Sequence, residues 1–178
     1  FEEYGICIFH PVTSELDSIG SQAKSFFEAL SESGRKFVLI LPNNDPGCNQ
    51  IKKQIKQLDP NQFKVLPSMR FLYFSELIKN CSIFVGNSST GVREIPFLGI
   101  ASLDIGSRQL NRASNKSIQY ISPFDKKKIV YFLEKNWNKK YDKNFEYGKG
   151  NAAEKFVKIL LNKNIWDESL QKNFKDSL

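Results

Sequence analysis

One histidine, one methionine and three cysteines occur in 178 residues, and each scarcity removes a class of function. A lone histidine cannot build an H-E-x-x-H metal helix and leaves none to spare beyond a single Ser-His-Asp triad. The cysteines Cys7, Cys48 and Cys81 are widely spaced and odd in number. They predict reduced thiols in a cytoplasmic protein, not a disulfide framework. Cys7 and His10 have C-x-x-H spacing, but Cys7 falls in an apolar strand pattern, so a buried structural thiol is the preferred reading and no metal site is expected. No apolar run approaches the roughly 18 residues of a membrane span. The start, FEEYGICIFHP, has neither the charged region nor the small-residue cleavage site of a signal peptide. It reads as a buried strand entered partway, and the chain is expected to be a piece of a longer protein.

Acidic residues are the minority charge: 19 Asp and Glu against 26 Lys and Arg give a formal net charge of +7. The longest basic run is Lys126-Lys127-Lys128, and the other lysines are interleaved with Asp, Glu and Asn. That pattern predicts a solvated surface with mild attraction for phosphates, and excludes a nucleic-acid footprint. The chain is 40% hydrophobic and 25% charged, which suits a globular domain with a sizeable core. It contains no internal repeat or low-complexity segment.

Apolar runs alternate with amphipathic stretches. Strands are predicted over residues 4–9, 37–41, 63–66, 82–85, 101–105 and 118–121. Helices are predicted over 16–33, 48–58, 71–79, 90–98, 125–136 and 152–161. The alternation implies an α/β fold, a Rossmann-like parallel sheet with helices on both faces. One domain is expected over residues 1–163. An amphipathic tail follows over 164–178, with Trp166, Leu170 and Phe174 at four-residue spacing, packing on a neighbouring domain or folding back on this one.

Ligands of such sheets sit outside the carboxyl ends of the strands. Four loops therefore matter. In GNSSTGVREIPFLG, Gly86 and Gly91 allow close backbone approach, while Ser88, Ser89 and Thr90 add donors at a helix N-terminus, where backbone N–H groups are unpaired. N-capping alone explains one hydroxyl, not three beside two glycines, so an anion cradle suited to phosphate or diphosphate is predicted. Neither the Walker pattern nor the G-x-S-x-G elbow is present. His10, in HPVTSE, either serves a phosphate or a proton transfer, or is a loop histidine held by local hydrogen bonds. PNNDPG is turn chemistry whose Asn43 can also read a sugar or base edge. Glu94 can accept from a ribose diol or act as a helix-dipole or salt-bridge partner. Arg108, in GSRQ, can aim its fork at the same ligand. Phe71 and Phe74 are candidates for stacking a base, though such spacing is commoner in cores. Jointly these describe a nucleotide-diphosphate pocket.

In this order and spacing, HPVTSE, PNNDPG, GNSSTGVREIPFLG and GSRQ resemble the hydrolysing UDP-N-acetylglucosamine 2-epimerases, in the branch that makes N-acetylmannosamine for sialic acid. The late YGKGNAAEKFVKIL is similar to that family's closing helix. The resemblance implies the C-terminal half of a GT-B-like two-domain architecture, a UDP-sugar substrate, no cofactor, and a homo-oligomer for the full-length cytoplasmic enzyme. It places His10 at the diphosphate and sugar as the catalytic residue and Asn43 at the nucleotide. Phe71 and Phe74 border the uracil, Ser88 and Ser89 bind the phosphates, Glu94 takes the ribose hydroxyls, and Arg108 completes the pocket. The implied chemistry is elimination of UDP across C1–C2, then addition of water with inversion at C2. The carboxylates that move the C2 proton are expected in an N-terminal domain outside this chain. Asn111 departs from the family pattern by standing where relatives read glycine. A sister epimerase for a UDP-2,4-diacetamido-trideoxyhexose, a GT-B glycosyltransferase domain and a non-catalytic nucleotide-binding module remain alternatives.

Overall fold

Among the described residues, six strands, each parallel to its neighbours, make one sheet: β1 (Gly5–Ile8), β2 (Phe37–Ile40), β3 (Phe63–Leu66), β4 (Ile83–Gly86), β5 (Ser102–Ile105) and β6 (Ile118–Ile121). Every residue of β1, β2, β4 and β5 is buried, because parallel strands with both faces covered expose no side chain. The outer strands β3 and β6 carry exposed polar residues, Lys64 and Gln119, which keep the edges hydrated. This computed structural model describes residues 1–167 and Gln171.

Alternate residues of the strands face opposite layers. Cys7, Leu39, Val85 and Leu103 pack with Phe26 and Phe27 of α1 (Ile19–Glu32), Ile51 of α2 (Cys48–Ile55) and Phe132 of α5 (Lys126–Asn136). Ile6, Ile8, Val38 and Phe84 pack with Ile78 of α3 (Phe71–Lys79) and Ile95 of α4 (Glu94–Leu98). Helices therefore cover both faces, as the residue pattern implied. The strand order is β3-β2-β1-β4-β5-β6. Its direction reverses between β1 and β4, which opens a crevice beyond their carboxyl ends.

The helix predicted over 90–98 is broken. A 3-10 turn, Ser89–Gly91, is followed by the short helix α4. Pro96 supplies the reason: a helix running through from Thr90 would need a backbone N–H at Pro96 to reach the Val92 carbonyl, and proline has none. Starting at Glu94 places Pro96 in the first turn, where no such bond is required. Gly99 ends the helix in the left-handed region at φ 68°, and a Cβ there would lie 2.4 Å from the Tyr141 carbonyl oxygen.

Residues Phe1–Asn144 form one unit and the residues from Phe145 onward a second. The second contains α6 (Ala152–Leu160) and the turn Lys163–Asp167, with the Trp166 indole N–H donating to the Leu160 carbonyl at 3.1 Å. Leu170 and Phe174 lie outside the described residues.

Candidate functional site

The crevice is built where β1 and β4 end side by side. Gly86 has φ 134°, and a Cβ on it would stand 1.9 Å from the Ile8 carbonyl oxygen, so only glycine lets the two backbones meet. The next residue, Asn87, is almost fully buried and ties the strands together. Its backbone N–H donates to the Ile8 carbonyl at 3.0 Å. Its side-chain oxygen accepts from the His10 N–H at 2.6 Å, and its side-chain nitrogen donates to the His10 carbonyl at 2.8 Å.

His10 is thereby presented at the switch point with its ring fixed. The Asn43 backbone N–H donates to Nδ1 at 3.1 Å. An accepting Nδ1 places the imidazole proton on Nε2. Burial, and next the neighbouring Arg108 guanidinium, push the His10 pKa down to about 4, with Asp45 pulling the other way. At neutral pH His10 is an uncharged Nε2–H donor. Charging it requires a proton on Nδ1 and loss of the Asn43 bond. In this state it can hydrogen-bond a phosphate but adds no positive charge.

Asn43 belongs to the same corner. Its side-chain nitrogen donates to the Asp45 carboxylate at 2.5 Å, while its side-chain oxygen is buried without a partner. Beside it, the Ser88 hydroxyl caps the 3-10 turn, accepting from the Thr90 N–H at 3.4 Å. Ser89 is half-buried at the turn's first position. Gly91 is bare for a packing reason as well: a Cβ there would be 2.8 Å from the Ser102 hydroxyl.

The loop after β5 closes the opposite wall. The Asn87 carbonyl accepts from an Arg108 guanidinium N–H at 3.2 Å and from the Gln109 side-chain amide at 3.1 Å. Arg112 in turn donates to the Gln109 side-chain oxygen at 3.1 Å. Asn111 adopts φ 62°, the left-handed conformation that asparagine tolerates best after glycine, so the departure at this position keeps a glycine-like backbone. Glu15 accepts from the Ser107 hydroxyl and from the Gln22 amide, the latter at 2.7 Å. Both its oxygens are thus engaged in holding this loop to α1. Glu94 begins α4 half-buried, and its Oε2 is enclosed without a hydrogen-bond partner.

The structure therefore links His10, Asn43, Asn87 and Arg108 through direct hydrogen bonds, with Ser88 and Ser89 following Asn87 in the chain. Glu94 begins the short helix just after that loop, with its enclosed Oε2 turned to no hydrogen-bond partner. Phe71 is 68% exposed at the first position of α3, whereas Phe74 packs on the second core cluster. Three residues that the loops' chemistry did not single out hold key positions: Asn87, Gln109 and Asp104. Asn87 and Gln109 were hidden because short polar residues in loops are common. Asp104 did leave a signal, a carboxylate inside a strand that otherwise reads as apolar.

Residues 1–161 match the family model described as UDP-N-acetylglucosamine 2-epimerase. The chain belongs to this family. It is 36% identical over 180 residues to the UDP-N-acetylglucosamine 2-epimerase of Neisseria meningitidis serogroup B, covering 99% of this chain and 48% of that protein. It is 28% identical to the polysialic acid biosynthesis protein P7 of Escherichia coli, covering 98% of this chain and 46% of the relative. The chain thus spans about half the length of these curated relatives, and corresponds to the C-terminal domain of the first. In fold, it superposes on a UDP-GlcNAc 2-epimerase from Neisseria meningitidis crystallised with UDP-GlcNAc, with a TM-score of 0.70 at 17% identity, over 90% of this chain and 45% of that one. The α/β sheet of this epimerase-family chain is therefore that of the GT-B-like enzymes. Among the described residues no helix is long and apolar enough to cross a membrane.

Proposed function

We propose that this chain is the UDP-binding half of a hydrolysing UDP-N-acetylglucosamine 2-epimerase that releases UDP and N-acetylmannosamine for sialic acid synthesis. The observation that carries the reading is the joined corner of His10, Asn87 and Arg108 at the sheet's switch point, directly beside the Ser88–Ser89 turn. Family membership supplies the substrate class, and the polysialic acid relative supports the sialic acid branch.

In this reading the diphosphate lies on the turn, whose backbone N–H groups and hydroxyls donate to it. Arg108 adds charge, and the His10 Nε2–H donates toward the oxygen that bridges to the sugar. The orphaned Glu94 Oε2 receives a ribose hydroxyl, and the orphaned Asn43 oxygen receives a donor from the nucleotide. Phe71 and Phe74 flank the uracil. The Rossmann-like domain runs over residues 1–163, the full-length enzyme is a homo-oligomer, and the reduced thiols fit a cytoplasmic setting. Proton removal at C2 falls to carboxylates outside this chain, because Glu15 is fully engaged and Glu94 serves the ribose.

Calorimetric titration with UDP tests this reading. A lost hydrogen bond to a charged group costs about 1.5–3 kcal/mol, so Ser89→Ala should weaken UDP at least roughly tenfold. Unchanged affinity in both Ser88→Ala and Ser89→Ala removes the diphosphate from this turn.

A further inference from the structure

Beneath the proposed diphosphate turn lies a carboxylate that the reading above leaves unused. Asp104, in β5, is 1% exposed, and its Oδ2 is enclosed without a hydrogen-bond partner. Its register partner in β4 is Gly86, the residue that starts the 86–91 loop. Ser102, two residues earlier on the same strand face, is fully buried with an unpartnered hydroxyl, and Gly91 presses on it from the turn above. Asp104 therefore sits on the face of the sheet that the Ser88–Glu94 segment covers.

Few groups share this space. From the loop after β5, Arg108 is the cation that acts on Asp104. From β6, the register partner is Tyr120, whose hydroxyl donates to the Ala113 carbonyl. From β4, Gly86 brings no side chain, and from the end of β1, His10 feels the same Arg108 guanidinium. Above it, Ser88, Ser89, Thr90, Arg93 and Glu94 are the polar and charged residues of the covering segment.

Leaving a carboxylate in such a place is costly unless it is protonated or paired. Arg108 lowers the Asp104 pKa, but burial outweighs it and raises the value to about 7. The guanidinium is hydrogen-bonded to the Asn87 carbonyl and acts on Asp104 through its charge.

We propose that Asp104 is a positioning residue for Arg108, and that it takes up a proton from solvent when a diphosphate ligand docks on the turn above it. This rests on the UDP-sugar reading. The docking diphosphate brings negative charge toward the buried carboxylate and competes with it for Arg108. Adding a proton to Asp104 converts the carboxylate to the neutral acid, removes the repulsion and frees the guanidinium for the phosphate oxygens. No bond other than O–H is made. The ligand-bound chain then holds up to one more proton than the free chain, and affinity falls as pH rises above 7.

The probe is UDP-N-acetylglucosamine, whose diphosphate diester does not titrate between pH 6 and 8.5. Calorimetry at pH 8 in two buffers of different ionisation enthalpy reads proton uptake directly. The expected result for the wild-type chain is uptake approaching one proton and an affinity that weakens several-fold between pH 7 and 8.5, with a limit of about tenfold per pH unit. Asp104→Asn, a neutral isostere, should abolish the uptake, flatten the profile and match or exceed wild-type affinity at pH 8.5. His10→Gln should keep the uptake. The wild-type Asp104 carboxyl carbon, followed by 13C NMR, should titrate at higher pH with ligand than without, which covers a variant that does not fold. A flat wild-type profile with clear binding overturns this inference and leaves the UDP reading intact, as does a pH slope unchanged in Asp104→Asn. Absence of binding at every pH overturns the UDP reading and this inference with it.

Discussion

The side-chain amide of Asn87 grips the backbone of His10 from both sides, accepting from its N–H at 2.6 Å and donating to its carbonyl at 2.8 Å. Two loops from different strands are thus joined by one side chain. The same residue's carbonyl receives Arg108 and Gln109. Strand β1, strand β4 and the loop after β5 consequently converge on one residue.

Asn87→Ala should lower stability. Each half-buried backbone group of His10 left without a partner costs about 1–3 kcal/mol. For a chain of this size a loss of 1 kcal/mol moves Tm by roughly 2–4 °C. Differential scanning calorimetry should therefore show a clear drop, and Asn87→Asp, which keeps the acceptor and loses the donor, should fall between. An unchanged Tm for Asn87→Ala would show that the clasp contributes nothing.

His10 should titrate far below an ordinary histidine. It is the only histidine, so its ring signals can be followed by NMR without assignment ambiguity. The midpoint should lie near 4, because burial and Arg108 disfavour the imidazolium. In the unfolded chain the same ring titrates near 6.5. Between those values the unfolded state binds more protons, so this residue's contribution to stability is complete above about pH 6.5 and declines as pH falls toward 4. His10→Gln should flatten that part of the stability profile. A midpoint at 6.5 would contradict the burial of the His10 ring beside Arg108.

Much of this arrangement was legible in residue order. Continuous apolar runs such as FVLI and IFVG mark strands buried on both faces, and glycines and hydroxyls directly after one of them mark the turn. What the pattern hides is the coupling between loops. His10 and Asn87 are 77 positions apart, and nothing local in GNSS says that its asparagine will clasp a histidine backbone. The protonation state of His10 was hidden for the same reason, since it depends on Arg108 and on the Asn43 backbone arriving from elsewhere. The broken helix at 90–98 was readable from Pro96 alone. Phe71 illustrates the reverse: its exposure at the start of α3 follows from where the helix packs, which its own sequence does not determine.

The chain should bind UDP yet turn over no UDP-N-acetylglucosamine. The C2 proton leaves only with a positioned base. Glu15 is committed to Ser107 and Gln22, and His10 offers no free basic nitrogen. Incubation in heavy water should give neither UDP release nor deuterium at C2 of any product. Either signal would place the proton-transfer groups within these residues.

The most direct measurement is chemical-shift mapping of the 15N-labelled chain titrated with UDP. Saturable shifts are expected at the backbone amides of His10, Asn43, Ser88, Ser89 and Arg108, with α1 and α5 on the far face of the sheet unaffected. Absence of saturable shifts, or shifts confined to residues away from the ends of β1, β4 and β5, would contradict the assignment of this crevice as the nucleotide site.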